Sequence, residues 1–255
     1  MCLIIIGWKT HPQYPLVVAA NRDEFLNRPT APADYWQDHP QVLAGRDLQA
    51  GGTWMGITKT LRFAALTNYR DPDHLQPNGF SRGKLVSDFL IGNQNPREYI
   101  KSIYKDSERY NGFNLLLGNG EELHWFSNIT GESKSLEPGV YGISNHLLDT
   151  PWPKLMEAKS AFQASLNSLP ETSKMFNLLL NDQIHPDEIL PNTGVSLDRE
   201  RALSAIFITT FPGYGTRNST VITTDQQGTV NFTEKTWLEG GVAGQTSSFK
   251  FNLKD

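Results

Sequence analysis

Short apolar runs gather toward the two ends of this chain, whereas its middle carries apolar residues at helical spacing. Residues 3–8 and 16–21 are apolar or β-branched and are separated by His11-Pro12-Gln13-Tyr14-Pro15, the pattern of a hairpin. Residues 53–57 and 63–67 make a second pair, joined by the polar Thr58-Lys59-Thr60. Strand-like runs return after residue 190 at 205–209, 220–224, 230–236 and 247–253, with Asp225-Gln226-Gln227-Gly228 as a turn between two of them. In the middle, residues 84–91 and 96–104 repeat apolar positions every three or four, and Asn95 before Pro96 reads as an N-cap ahead of a first-turn proline. Residues 153–166 place Leu155, Ala158, Phe162 and Leu166 on one helical face, and 171–180 predicts a following helix. Strands are expected at 114–117, 122–127 and 140–144 between the helical stretches. Strand-rich ends flanking helix pairs predict an α+β fold with stacked sheets and helices outside. With no repeat, low-complexity tract or linker-like run, one domain spanning 1–255 is expected.

The composition narrows the function classes. With a single cysteine, neither an intrachain disulfide nor a cysteine-based zinc site can be built, and the six histidines form no H-E-x-x-H helix, so no metal is expected. A formal net charge of −4 lacks the basic footprint of a phosphate-backbone binder, so nucleic acid is not an expected partner. The longest apolar runs fall far short of the roughly 20 residues of a membrane-spanning helix. No basic residue precedes the first apolar run, and Gly7-Trp8-Lys9 ends it, so no signal peptide is read and a cytoplasmic location is expected.

Cys2 is the most informative residue. Removal of Met1 would leave it at the N-terminus, where an α-amino group titrating near 7.7–8.0 can take the proton of its own thiol. The alternative is a small hydrophobe opening a strand. Asn21-Arg22-Asp23-Glu24 directly follows an apolar run, placing a cation and two anions at a strand end. There Arg22 can favour a thiolate and Asp23 can hold an amine, or the four residues can form a solvated turn. Asn68 and Asn145 also end strand-like runs, as oxyanion donors or as ordinary turn residues. Arg217, after Gly213-Tyr214-Gly215, is either a second positive charge for the site or a surface arginine.

Together these segments resemble the NRDE-domain proteins, the transport and Golgi organisation family. The resemblance rests on Met1-Cys2, on Ala19-Ala20-Asn21-Arg22-Asp23-Glu24-Phe25 with Arg28-Pro29, and on Gly51-Gly52-Thr53-Trp54-Met55-Gly56. It continues through Ala64-Ala65-Leu66-Thr67-Asn68-Tyr69, Tyr110-Asn111-Gly112-Phe113-Asn114, Tyr141-Gly142-Ile143-Ser144-Asn145 with Thr150-Pro151-Trp152, and Pro212-Gly213-Tyr214-Gly215-Thr216-Arg217. His146 departs from the pattern, standing where a small residue is expected. The resemblance implies a four-layer α-β-β-α sandwich similar to the N-terminal nucleophile hydrolases. In the cysteine members of that superfamily it points to Cys2, Arg22, Asp23, Asn68, Asn145 and Arg217 as catalytic positions.

Two functions follow. One is a hydrolase of a non-peptide amide or acyl bond, working through an acyl-Cys2 intermediate on a small-molecule amide, acyl or lipid-like substrate and requiring no cofactor. The other, implied by the family, is a carrier of haem or of an acyl-CoA-like lipid. Its expected anchors are Arg22 and Arg217 for acidic groups, Trp54 and Phe113 for apolar faces, and Cys2 or His146 as an axial haem ligand.

Overall fold

The computed structural model describes residues 2–252. Strands β1 (Cys2–Trp8), β2 (Leu16–Phe25), β3 (Thr30–Tyr35), β4 (Val42–Asp47), β5 (Met55–Thr58) and β6 (Phe63–Asn68) come first. Helices α1 (Gly83–Ile91) and α2 (Pro96–Tyr104) lead to β7 (Phe113–Gly118), β8 (Leu123–Ser127), β9 (Ser133–Ser135) and β10 (Gly139–Ile143). After α3 (Pro153–Leu166), α4 (Ser173–Leu179) and α5 (Leu197–Leu203) the chain closes with β11 (Tyr214–Thr224), β12 (Thr229–Trp237) and β13 (Ala243–Asn252). Two antiparallel sheets result, one in the order β10-β1-β2-β11-β12-β13 and one in the order β3-β4-β5-β6-β7-β8-β9.

Three apolar clusters define four layers. Along β1, Ile4, Ile6 and Trp8 meet Phe63, Ala65 and Leu116 of the other sheet, while Leu3 and Ile5 point away onto Leu155, Phe162 and Met175 of α3 and α4. On the second sheet, Ala64, Leu66 and Leu115 pack under Phe89 of α1 and Ile100 of α2. A strand sends successive side chains to opposite faces, so the all-apolar runs read from β1 and β2 are those of strands covered on both sides. Each fully buried Leu, Ile or Phe contributes about 1.5–3 kcal/mol. The helices thus lie outside a pair of stacked sheets, the α-β-β-α sandwich.

Both expected hairpins form, with Cys2 opposite Arg22 and Met55 opposite Ala65. Asn95 caps α2 through a reciprocal box with Glu98, as its position before Pro96 predicts. Residues 205–209, expected as a strand, join no ladder, although 205–208 are buried. Their backbone groups pair with Asn181, Asn21 and the Thr216 hydroxyl instead. Residue 253 of the expected last strand lies outside the described residues. The sequence patterns missed β3, β4, β9 and α5. Strands β3 and β9 are the edges of their sheet, where Pro32 and an exposed Ser-Lys-Ser run are tolerated. Among the described residues no helix is long and apolar enough to cross a membrane, which says nothing of strands.

Candidate active site

At the end of the sandwich where β1 begins and β2 ends, a cavity of about 420 Å3 opens between the sheets. Cys2, Arg22, Asp23 and Glu24 line it from one sheet, and Gly45, Asp47, Leu66 and Asn68 from the other. Trp54 and Arg82 close a further side. Gly52 packs where a Cβ would lie 2.5 Å from the Gly83 carbonyl carbon, so the Gly51-Gly52-Thr53-Trp54 segment lies flat on the start of α1 and sets Arg82 at the rim. Arg82 donates to the Gly112 carbonyl at 3.0 Å.

The tetrapeptide that ends β2 divides between two faces. Arg22 continues the parity of Val18 and Ala20 toward the intersheet space, and its guanidinium lies 3.5 Å from Glu24. Its buried Nη1 has no hydrogen-bond partner among the described residues. Asn21 takes the opposite face, donating to the Leu179 and Ile206 carbonyls at 2.8 and 2.9 Å and accepting from Ser219 at 2.6 Å. Asp23 shares that face, accepts from the Thr216 hydroxyl at 2.7 Å and reaches the edge of the cavity. Strand β11 is bulged between Thr216 and Asn218, which keeps Thr216 beside Asp23 and turns Asn218 into the cavity beside Arg22.

Cys2 is buried at the cavity floor. Burial pushes its thiol above the ordinary value and the Asp23 charge adds to this, whereas Arg22 and the Asp23 backbone pull it down. Burial likewise raises the Asp23 carboxyl, against the opposing effects of Lys154, Thr216 and Arg22.

The other expected site residues separate into two groups. Asn68 lines the cavity, and its side-chain amide makes no hydrogen bond to the described residues. Asn145 is fully buried and outside the cavity lining; its amide donates to the Asn68 carbonyl at 3.0 Å, so it fixes the backbone of Asn68. Arg217 is the bulged residue of β11, and its guanidinium holds the carbonyls of Phe25, Leu26 and Arg28 at 2.9–3.2 Å rather than facing Cys2. Among the carrier anchors, Trp54 borders the cavity but Phe113 is wholly buried under the helices. Both ring nitrogens of His146 are engaged, with Tyr69 at 2.9 Å and Thr150 at 2.8 Å, leaving none for an axial haem bond.

Sequence reasoning missed several polar groups around the site. Glu234 of β12 borders the cavity and accepts from the Ala33 N–H at 2.7 Å, tying one sheet to the other across the irregularity in β3. Burial raises its carboxyl. Arg28 pairs with Asp47 at 2.6 Å on the rim. Behind Asp23 lie Lys154, Arg70 and Glu200, all buried, with Arg70 and Glu200 paired at 2.7 Å. Charged side chains mid-sequence carry no burial signal of their own; Lys154 could have been flagged only as a lysine in the first turn of a helix. Among the described residues no group of three His, Cys, Asp or Glu could hold a metal ion.

A second cavity of about 240 Å3 shares Glu24, Asn68 and Arg82 with the first and is walled by Phe25, Tyr69, Leu75, Phe211 and Tyr214. The arrangement as a whole puts a thiol, a guanidinium, a carboxylate and a free amide around one polar space, the components of acyl transfer.

Two solved structures share this architecture. A Caenorhabditis elegans N-acylethanolamine-hydrolyzing acid amidase (NAAA) ortholog superposes with a TM-score of 0.51 at 10% identity, covering 87% of this chain and 92% of that one. The C2A mutant of conjugated bile acid hydrolase from Clostridium perfringens gives 0.53 at 8% identity, covering 100% and 94%. Both are N-terminal nucleophile hydrolases, and at such identities they establish the fold alone. Sequence similarity reaches further: the Mus musculus Transport and Golgi organization 2 homolog is 34% identical and the Bos taurus homolog 36% identical, each across the whole of both chains. The family described as Transport and Golgi organisation 2 matches over residues 1–239, and this chain belongs to it.

Proposed function

We propose that this protein is a hydrolase of non-peptide amide or related acyl bonds, with Cys2 as its nucleophile once Met1 has been removed. The observation that carries this reading is the placement of Cys2 at the floor of a polar cavity, opposite Arg22 in the β1–β2 register and beside Asp23, which lines the same cavity. In the proposed reaction the Cys2 amine takes the thiol proton and the sulfur adds to the substrate carbonyl. The free Arg22 Nη1 and the Asn68 amide donate to the oxyanion. The carbon–nitrogen bond then breaks, the leaving amine takes the proton from the Cys2 ammonium, and water, deprotonated by the same amine, cleaves the thioester. The two structural neighbours are named as an amidase ortholog and a bile acid hydrolase, which accords with this bond class. A thioester or activated-amide acyl probe should label the wild type and leave Cys2→Ala unlabelled at unchanged near-UV circular dichroism. Equal labelling of both would remove the reading.

A carrier role has one observation in its favour, the apolar groove that adjoins the arginine-lined cavity. An acyl-CoA-like ligand would lay its chain there and its acidic groups beside Arg22 and Arg82. Saturable binding of an acyl-CoA, unaffected by Cys2→Ala and without turnover, is the outcome that would favour it.

A further inference from the structure

Glu234 of β12 is 2% exposed and borders the cavity whose floor holds Cys2. A carboxylate in such a place is costly to keep charged unless a cation answers it. Three arginines of the same lining already have acids of their own: Arg22 lies 3.5 Å from Glu24, Arg28 2.6 Å from Asp47 and Arg46 2.6 Å from Asp38. Arg82 gives its Nη1 to the Gly112 carbonyl. Glu234 makes no ion pair among the described residues; its Oε1 accepts from the Ala33 N–H at 2.7 Å. The other oxygen looks toward Gly45, where a Cβ would lie 3.7 Å from it, so that glycine leaves Oε2 open to the cavity that both residues line. Burial raises the carboxyl, and the Ala33 N–H, Arg22, Thr220 and Asn218 oppose this.

The register fixes where this carboxyl stands relative to the thiol. Cys2 pairs with Arg22, Arg22 with Asn218, and Glu234 with Thr220, two residues further into β11. Glu234 is therefore three strands across from Cys2 and deeper in the sandwich. Three strand spacings of about 4.8 Å amount to roughly 14 Å.

We propose that the inner end of the cavity, bounded by Glu234 and Gly45 with Asn218 beside Arg22, is a subsite for a primary ammonium at the far end of the substrate's acyl chain. This rests on the hydrolase reading, in which the acyl carbonyl is held at Cys2; the leaving amine departs while the acyl part stays on sulfur, so the part that reaches inward is the acyl one. The ammonium donates to Glu234 Oε2 and supplies the cation that the carboxylate lacks. Eight bonds between carbonyl carbon and nitrogen span roughly 9 Å when extended. The thiol–carbon bond and a charge-assisted hydrogen bond of about 2.8 Å complete the gap.

The test compares the p-nitroanilides of 8-aminooctanoic and 8-hydroxyoctanoic acid, which differ at the far end in charge and hardly in size. Wild-type protein should cleave the amino compound with a kcat/KM about tenfold higher, the difference between a charge-assisted and a neutral hydrogen bond. In Glu234→Gln the side-chain oxygen can still accept from Ala33 while an NH2 replaces the open oxygen, so the preference should disappear. In 13C-glutamate-labelled protein, 8-aminooctanamide should shift the Glu234 carboxyl signal saturably and 8-hydroxyoctanamide should shift it far less, with Glu234→Gln, or Glu234→Asp should the former not fold, assigning the signal. Equal cleavage of the two anilides by the wild type, a preference that survives in Glu234→Gln, or an unmoved carboxyl signal overturns the proposal. If 8-aminooctanamide shifts the signal but neither anilide is cleaved, the ammonium subsite stands and the hydrolase reading is what fails.

Discussion

Arg22 and Glu24 stand on one face of β2 and Asn21 and Asp23 on the other, and the two pairs live under different rules. On the cavity face, Arg22 and Glu24 are 3.5 Å apart, Glu24 is 4.0 Å from Arg28, and one guanidinium nitrogen is free. On the helix face, Asn21 has two carbonyls and a hydroxyl at 2.6–2.9 Å, and Asp23 accepts from the Thr216 hydroxyl at 2.7 Å. One face is loosely paired and ready to meet a ligand, whereas the other is closed and holds the segment 205–209 against the sheet. A four-residue motif therefore divides by the period of two, into residues that act and residues that support.

The closed side should give the largest stability effects. Arg70→Met strands Glu200 as an unpaired buried charge and should cost about 3–5 kcal/mol in urea denaturation, while the double variant Arg70→Met/Glu200→Gln should recover part of it. Asn21→Ala leaves two carbonyls and the Ser219 hydroxyl without their partner and should cost roughly 2–4 kcal/mol. A loss below about 1 kcal/mol in either single variant would erase the distinction between the faces.

The open side should respond in reactivity rather than in stability. Arg22→Met removes a buried, incompletely paired charge, so the unfolding free energy should move by no more than about 1 kcal/mol. Alkylation of Cys2 at neutral pH should slow by up to about tenfold, because Arg22 is one of the groups that favour the thiolate. Arg28→Met, at the half-exposed rim, should cost under about 1 kcal/mol. The smallest effect concerns pH. Burial holds His146 below its ordinary value, so its contribution to stability is present above pH 6.5 and is lost as pH falls through its lower folded-state pKa. The unfolding midpoint of His146→Phe should depend less on pH below 6.5 than that of the wild type.

How much of this was legible in the chain follows from where each signal resides. The runs of β1 and β2 are apolar at consecutive positions because both faces are covered, and they pair as the expected hairpin, which sets Cys2 opposite Arg22. Edge strands such as β3 bury little and carry a proline, so nothing in their periodicity announces them. Segment 205–209 misled for the opposite reason: its apolar residues are buried, but its hydrogen bonds go to the side chains of Asn21 and Thr216 and to single backbone groups rather than to a strand ladder. Asn68 borders the cavity as expected, whereas the bulge in β11 directs Arg217 elsewhere and Asn145 binds backbone, neither of which residue type or spacing reveals. Lys154, Arg70 and Glu200 come from three distant segments, and only the packing of α3 and α5 behind β2 brings them together.

The most direct measurement is the intact mass of the purified protein before and after incubation with an acyl-amide probe, followed by peptide mapping. The protein should be lighter than its sequence by one methionine residue and should gain a single acyl group on the peptide that begins at Cys2. A protein that keeps Met1 and still takes the acyl group, or one that takes it on any other peptide, would contradict Cys2 as the nucleophile.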